Sequence, residues 1–208
     1  PNGYLRKVTR ITDESWQICF NEVNPNGWVD MNSNEILILG QYDVTFQLPP
    51  VPVDGTYEFR WGLSNASWRG MTQMYFGDNP DNLPAIGVPL DMRAEYSSPN
   101  IGWVKDNPDD PQSAKDNDKA MRNHGYMKGP KLYGLLSASG VSTSFRDGNG
   151  SNMLSMRYIV YRGLMKADKT YYVRFKNVLT NPYGQLFCDY FELVPRSIYN
   201  GEKAESIW

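Results

Sequence analysis

The stretch Tyr42-Asp43-Val44-Thr45-Phe46-Gln47-Leu48 decides the fold class. Tyr42, Val44, Phe46 and Leu48 occupy alternate positions, with Asp43, Thr45 and Gln47 between them. A period of two puts the first set on one face of a strand and the second on the other. Pro49, Pro50 and Pro52 end it, because proline cannot donate to a ladder, and Asp54-Gly55 turns the chain. Thr56 to Leu63 then alternates again, with Tyr57, Phe59, Trp61 and Leu63 facing away from Glu58 and Arg60.

Moving outward, Met71 to Phe76 reads as a strand closed by Gly77-Asp78-Asn79-Pro80. Gly87 to Met92 reads as an edge strand, since Pro89 lies inside it. Three more strands are expected at Ser155–Arg162, Thr170–Asn177 and Gln185–Val194. Upstream, Glu35–Leu39 (EILIL) reads as a strand, Trp16–Phe20 as a short one, and residues 21–27 as a turn. Val104–Lys119, rich in aspartate, reads as a solvated loop leading into a short helix over Ser113–Asn123. Residues 137–152, rich in Ser, Gly and Asn, read as an exposed connection. Roughly eight strands with one short helix predict an all-β jelly-roll sandwich with long loops. The sandwich is expected over residues 35–208, with residues 1–34 as an N-terminal extension packed on it.

Composition agrees. Aromatic residues make up 13% of the 208 residues, beside 18 Gly and 14 Pro, a mixture suited to short strands and frequent turns. The net charge of −2 gives no electrostatic case for nucleic acid or an anionic membrane. No apolar run approaches the roughly 20 residues needed to span a bilayer as a helix. The chain opens at Pro1, which suggests a piece of a longer protein. Cys19 and Cys188 either close a long-range disulfide or pack as two buried thiols; the second is favoured, since free cysteine is among the most buried residue types.

The residues that carry chemistry point to binding. His124 is the one histidine, so a multi-histidine metal site is excluded, and no GxSxG, GxGxxG or GxxxxGK[ST] pattern occurs. Two carboxylates suffice for glycoside hydrolysis, and Asp91 with Asp189 is the first pair to weigh; structural ion pairing is the favoured account of them. Arg60, Arg93, Arg157 and Arg174 read as solvated sheet-face charges. Trp68 and Arg69 follow a polar loop, and Trp103 stands beside Gly102, so that either indole could stack on a sugar ring or cap the sandwich. Arg122 to Lys128 crowds Arg122, His124 and Lys128 around Tyr126, a set suited to a polyhydroxylated or anionic ligand; Arg122 could equally pin the long loop to Asp91 or Asp189.

Several segments, in order, carry a family resemblance. They are Gly40-Gln41-Tyr42-Asp43 running to Leu48-Pro49-Pro50, then Gly55-Thr56-Tyr57-Glu58-Phe59-Arg60, then Arg69-Gly70 before Phe76-Gly77. Further on stand Gly87-Val88-Pro89-Leu90-Asp91-Met92-Arg93, residues 117–130, and Asp189-Tyr190-Phe191-Glu192-Leu193-Val194-Pro195. Together they resemble the largely uncharacterised domain that follows fasciclin-like domains in Bacteroidetes surface lipoproteins encoded beside glycan-uptake systems. The resemblance implies an extracellular, outer-membrane-surface location and an upstream fasciclin-like domain. It also implies a jelly roll similar to galactose-binding and other carbohydrate-binding modules, and a non-catalytic role in binding carbohydrate or in adhesion. The alternatives are a protein-interaction domain of such an assembly and, further off, a glycoside-active enzyme. In some carbohydrate-binding modules the aspartate of the last strand holds a structural calcium, which makes Asp189 and Asp91 its candidates here. No other cofactor is implied.

Overall fold

The computed structural model describes residues 5–11, 36–129, 134–137, 140–144, 155–180 and 184–198. Among them run thirteen strands and one α-helix. The strands are β1 (Leu5–Ile11), β2 (Ile36–Leu39), β3 (Tyr42–Gln47), β4 (Gly55–Ser64), β5 (Met71–Gly77) and β6 (Ala85–Asp91). After α1 (Pro111–Asn123) follow β7 (Tyr126–Lys128), β8 (Gly134–Ser137), β9 (Gly140–Ser144), β10 (Ser155–Met165), β11 (Tyr172–Asn177), β12 (Gln185–Cys188) and β13 (Tyr190–Pro195). Every pairing is antiparallel. One sheet has the order β1-β3-β11-β5-β6, a second has β13-β4-β10-β7, and β12-β2 and β8-β9 form two-stranded ribbons.

The two larger sheets pack face to face, as the alternation requires. Phe46 of β3 meets Phe191 of β13 edge-on at 5.3 Å, Trp61 of β4 meets Phe175 of β11 at 4.7 Å, and Phe76 of β5 stacks on Tyr161 of β10 at 3.9 Å. These contacts cross from one sheet to the other and bury large rings with little rotamer freedom to lose. The chain is therefore an all-β antiparallel sandwich.

Several expected elements move. The edge strand with Pro89 lies at the margin of its sheet as β6, and the helix begins two residues earlier than expected, at Pro111. Proline at the first helical position loses no bond there, and Asp110 caps the helix by accepting from the Gln112 N–H at 2.9 Å. The single strand expected over Gln185–Val194 divides at Asp189. Its first part pairs with β2 and its second with β4, and the Asp189 N–H donates to the Gly62 carbonyl at 2.9 Å where the chain changes sheets. Leu5–Ile11, expected in an extension, is the edge strand beside β3. A β8-β9 hairpin joins Gly134–Ser137 to Gly140–Ser144, where an exposed connection was expected. The expected strand Trp16–Phe20, the turn over residues 21–27, and Cys19 lie outside the described residues. Cys188 is a buried free thiol, and burial foremost pushes its pKa well up.

The largest departure concerns the polar face of β4. The alternation of Tyr57, Phe59, Trp61 and Leu63 with Glu58 and Arg60 is as read, yet both faces are buried, with Glu58 and Arg60 each 0% exposed. Arg157, across the ladder on β10, is equally buried. The expectation that Arg60 and Arg157 are solvated sheet-face charges is thus overturned, while Arg93 stays exposed and Arg174 partly so. Arg122 from α1, Arg162 from β10 and Arg196 from the turn after β13 all close over Glu58. Tyr190 lies over Gly62, which has no side chain to hold it off.

Candidate functional site

The buried polar layer accounts for three of the donors singled out in the sequence, Arg60, Arg122 and Arg157. Glu58 Oε2 accepts from Arg60 Nε at 3.0 Å and Nη2 at 2.7 Å; its Oε1 accepts from Arg122 Nη2 at 2.5 Å and Arg162 Nε at 2.9 Å. Arg196 adds a contact at 3.4 Å. Burial alone would raise the Glu58 pKa, but the hydrogen bond from Arg60 and the charges of Arg60, Arg122 and Arg162 outweigh it and hold the carboxyl below its ordinary range. Glu192 binds Arg60 at 3.4 Å and Arg157 at 3.3 Å. Arg157 Nε donates to the Lys128 carbonyl at 2.9 Å, which ties this layer to β7.

Arg122 pins its segment to Glu58 and not to Asp91, and Met127 Sδ lies 3.2 Å from its Nη1. The Lys128 ammonium is buried, donates to the Val104 carbonyl and to Asp106 at 2.6 Å, and stands over the Trp103 ring at 5.1 Å. Trp103 folds back, half-buried, against Tyr96, edge to face at 5.3 Å. Tyr126 is buried, edge-on to Tyr158, and accepts from Asn65 Nδ2 at 3.5 Å; burial foremost pushes its pKa up to about 12, so the phenol stays protonated. His124 caps α1 and is exposed, with its ring against Gly102. The positive φ of Gly102, +74°, favours glycine, and a Cβ there would stand 3.0 Å from the His124 ring. Asp118, Arg122, Met127, Lys128 and Arg157 enclose a cavity of about 10 Å³. That is room for one water at most, far below a sugar ring.

Asp91 and Asp189 do not make a buried carboxylate pair. Asp91 is 38% exposed and takes a bidentate contact from Arg93, Nε at 2.8 Å and Nη2 at 2.7 Å, with the Arg93 backbone N–H on Oδ1 at 3.0 Å. The Arg93 hydrogen bonds lower the Asp91 pKa against a smaller push upward from burial. Asp189 sits at the crossing between β12 and β13. Among the described residues no three His, Cys, Asp or Glu side chains converge as a metal site would require.

Trp68 behaves differently from all of these. It is 48% exposed, in a loop whose neighbours Ser64, Asn65, Ala66 and Arg69 are each at most 5% exposed. The loop is held at both ends. The Ala66 N–H donates to the Met92 carbonyl at 3.0 Å, the Arg69 N–H closes a turn on the Ala66 carbonyl at 2.9 Å, and the Gly70 N–H donates to the Gln185 carbonyl at 2.9 Å. Arg69, expected as a ligand contact, is spent inside: it bonds the Ser64 carbonyl and hydroxyl and Gln185 Oε1 at 2.7 Å, and lies over the Phe187 ring at 4.5 Å. It holds the loop from within, so that the indole stands out on a fixed base.

The sequence reading missed the Glu58 layer. Its one signal is that Glu58 and Arg60 share a strand face with Gly62. Alternation reports which face a residue takes, and nothing in it tells whether that face will be covered. No protein-family model, curated protein or solved structure matches the chain. No described helix is long and apolar enough to cross a membrane.

Proposed function

We propose that this chain is a non-catalytic carbohydrate-binding module of jelly-roll type, working on a bacterial cell surface as part of a lipoprotein, with an indole as its contact. The observation that carries the reading is Trp68, half-exposed beside the exposed Ser67 on a loop anchored by the buried Ser64, Asn65, Ala66 and Arg69 and by backbone hydrogen bonds. An exposed tryptophan offers a flat apolar face to the C–H side of a pyranose ring. A pre-ordered loop adds to affinity because little freedom remains to be lost on binding. The extracellular location, the upstream fasciclin-like partner and the link to glycan uptake rest on the family resemblance alone.

A glycan array probed with the chain and with Trp68→Ala tests the reading. The expected result is binding to a subset of glycans that the variant loses. Absence of binding to any glycan overturns the carbohydrate reading; equal binding by the variant overturns the role of the indole.

A further inference from the structure

We propose that Asp91 and Arg93 are the polar half of the Trp68 site, and that together they select a neutral sugar ring carrying two adjacent hydroxyl groups. The inference rests on the reading of Trp68 as a carbohydrate contact and adds the ligand's chemistry to it.

The Trp68 loop is zipped to the chain leaving β6 by two hydrogen bonds, from Ala66 N–H to the Met92 carbonyl at 3.0 Å and from Met92 N–H to the Gly70 carbonyl at 3.2 Å. Met92 itself is fully buried. Asp91 and Arg93, its neighbours on either side, carry their side chains into solvent at 38% and 43% exposure. The pair thus stands on the strand of chain to which the indole's loop is fastened.

The pair is held in one geometry. Two side-chain contacts, at 2.8 and 2.7 Å, and the Arg93 backbone N–H on Asp91 Oδ1 lock carboxylate and guanidinium in a single turn. A surface ion pair between two long, free side chains contributes little to stability. This one spans a single intervening residue and is fixed by backbone, so its use as a recognition element costs little further ordering.

Donor and acceptor capacity then points to the ligand. Asp91 Oδ1 accepts two N–H groups and Oδ2 accepts one, which leaves acceptor capacity at Oδ2. The guanidinium has five N–H groups, and Asp91 engages its Nε–H and one on Nη2. An acceptor and a donor held side by side match two neighbouring hydroxyls, one donating to Oδ2 and the next accepting from the guanidinium. The formal charges of the pair cancel. A uronate or sulfated sugar would bring a negative charge to a carboxylate already satisfied, so a neutral ring fits better.

The test uses the intact chain and titration calorimetry with neutral, uronate-containing and sulfated oligosaccharides, at low and at high salt. The expected best ligand is neutral, with an affinity that changes less than about twofold between the two salt levels. Asp91→Asn and Arg93→Ala are each expected to weaken it by about tenfold or more. If both variants bind within about twofold of the parent while Trp68→Ala binds nothing, the pair lies outside the site and the inference falls, though the glycan reading stands. A charged glycan as the best ligand, its affinity falling steeply with salt, also overturns it. Failure of the parent chain to bind any glycan overturns the glycan reading and this inference together. Both exposed substitutions are checked by circular dichroism, with an unchanged spectrum expected.

Discussion

The segments Arg122–Lys128 and Ser64–Arg69 both combine an aromatic residue with polar and basic ones, and the fold treats them in opposite ways. In the first, Arg122 and Lys128 are drawn inward by Glu58 and Asp106, and Tyr126 is buried with them. In the second, Arg69 turns inward and Trp68 stays out. The difference lies in what the neighbouring elements supply. A buried carboxylate without a cation is costly, so Glu58 at the centre of a sheet gathers whatever guanidinium groups the surrounding elements can deliver. The loop around Trp68 is held by backbone bonds and by Arg69, although the buried Asn65 Oδ1 has no hydrogen-bond partner among the described residues, and the indole stays half-exposed. Donor-rich segments near buried acids are thus structural, and a binding residue is better sought where the loop is anchored without it.

The largest effect expected from breaking this contrast is at Glu58. Glu58→Ala takes the carboxylate from the buried guanidinium groups of Arg60 and Arg122 and is expected to cost about 3–5 kcal/mol, read by urea denaturation. The same group makes the protein acid-sensitive. Its folded pKa lies below the ordinary 4.5, so its contribution is fully present above that value and is lost as pH falls through the lower folded pKa. In Glu58→Gln that part of the acid dependence is expected to vanish, which stability measured from pH 5 downward would show. Stability of the parent that stays flat across that range would contradict the role of Glu58 as the hub.

A smaller effect is expected at Gly62. A Cβ there would stand 2.5 Å from the Tyr190 ring, which lies over the buried layer. Gly62→Ala is expected to destabilise by about 1–3 kcal/mol through overpacking, as a lowered thermal midpoint. The smallest effect sharpens the other side of the comparison. Trp68→Ala should change stability by no more than about 0.5 kcal/mol, because the indole is half in solvent and its loop is held without it. A loss comparable to that at Glu58 would mean that Trp68 is a structural cap.

The alternating residues were enough to place the strands that carry them, from Tyr42–Gln47 through Tyr172–Asn177, because a period of two leaves a sheet one way to bury its large side chains. The sequence also marked Trp68, whose polar surroundings in the chain offered no core duty. It did not reveal β7, three residues long, nor the division of Gln185–Val194 between two sheets, since neither carries a periodic signal. Which polar residues lie inside was settled by packing between distant segments. Arg60 and Arg157 read as solvated because alternation is local, whereas burial of their face depends on Arg122, Arg162 and Arg196 arriving from distant parts of the chain. The same long-range arrangement withdrew Lys128 and Arg69 from the surface and fastened the Trp68 loop, through Ala66 and Gly70, to Met92 between Asp91 and Arg93, by two backbone hydrogen bonds between segments that are not neighbours in sequence.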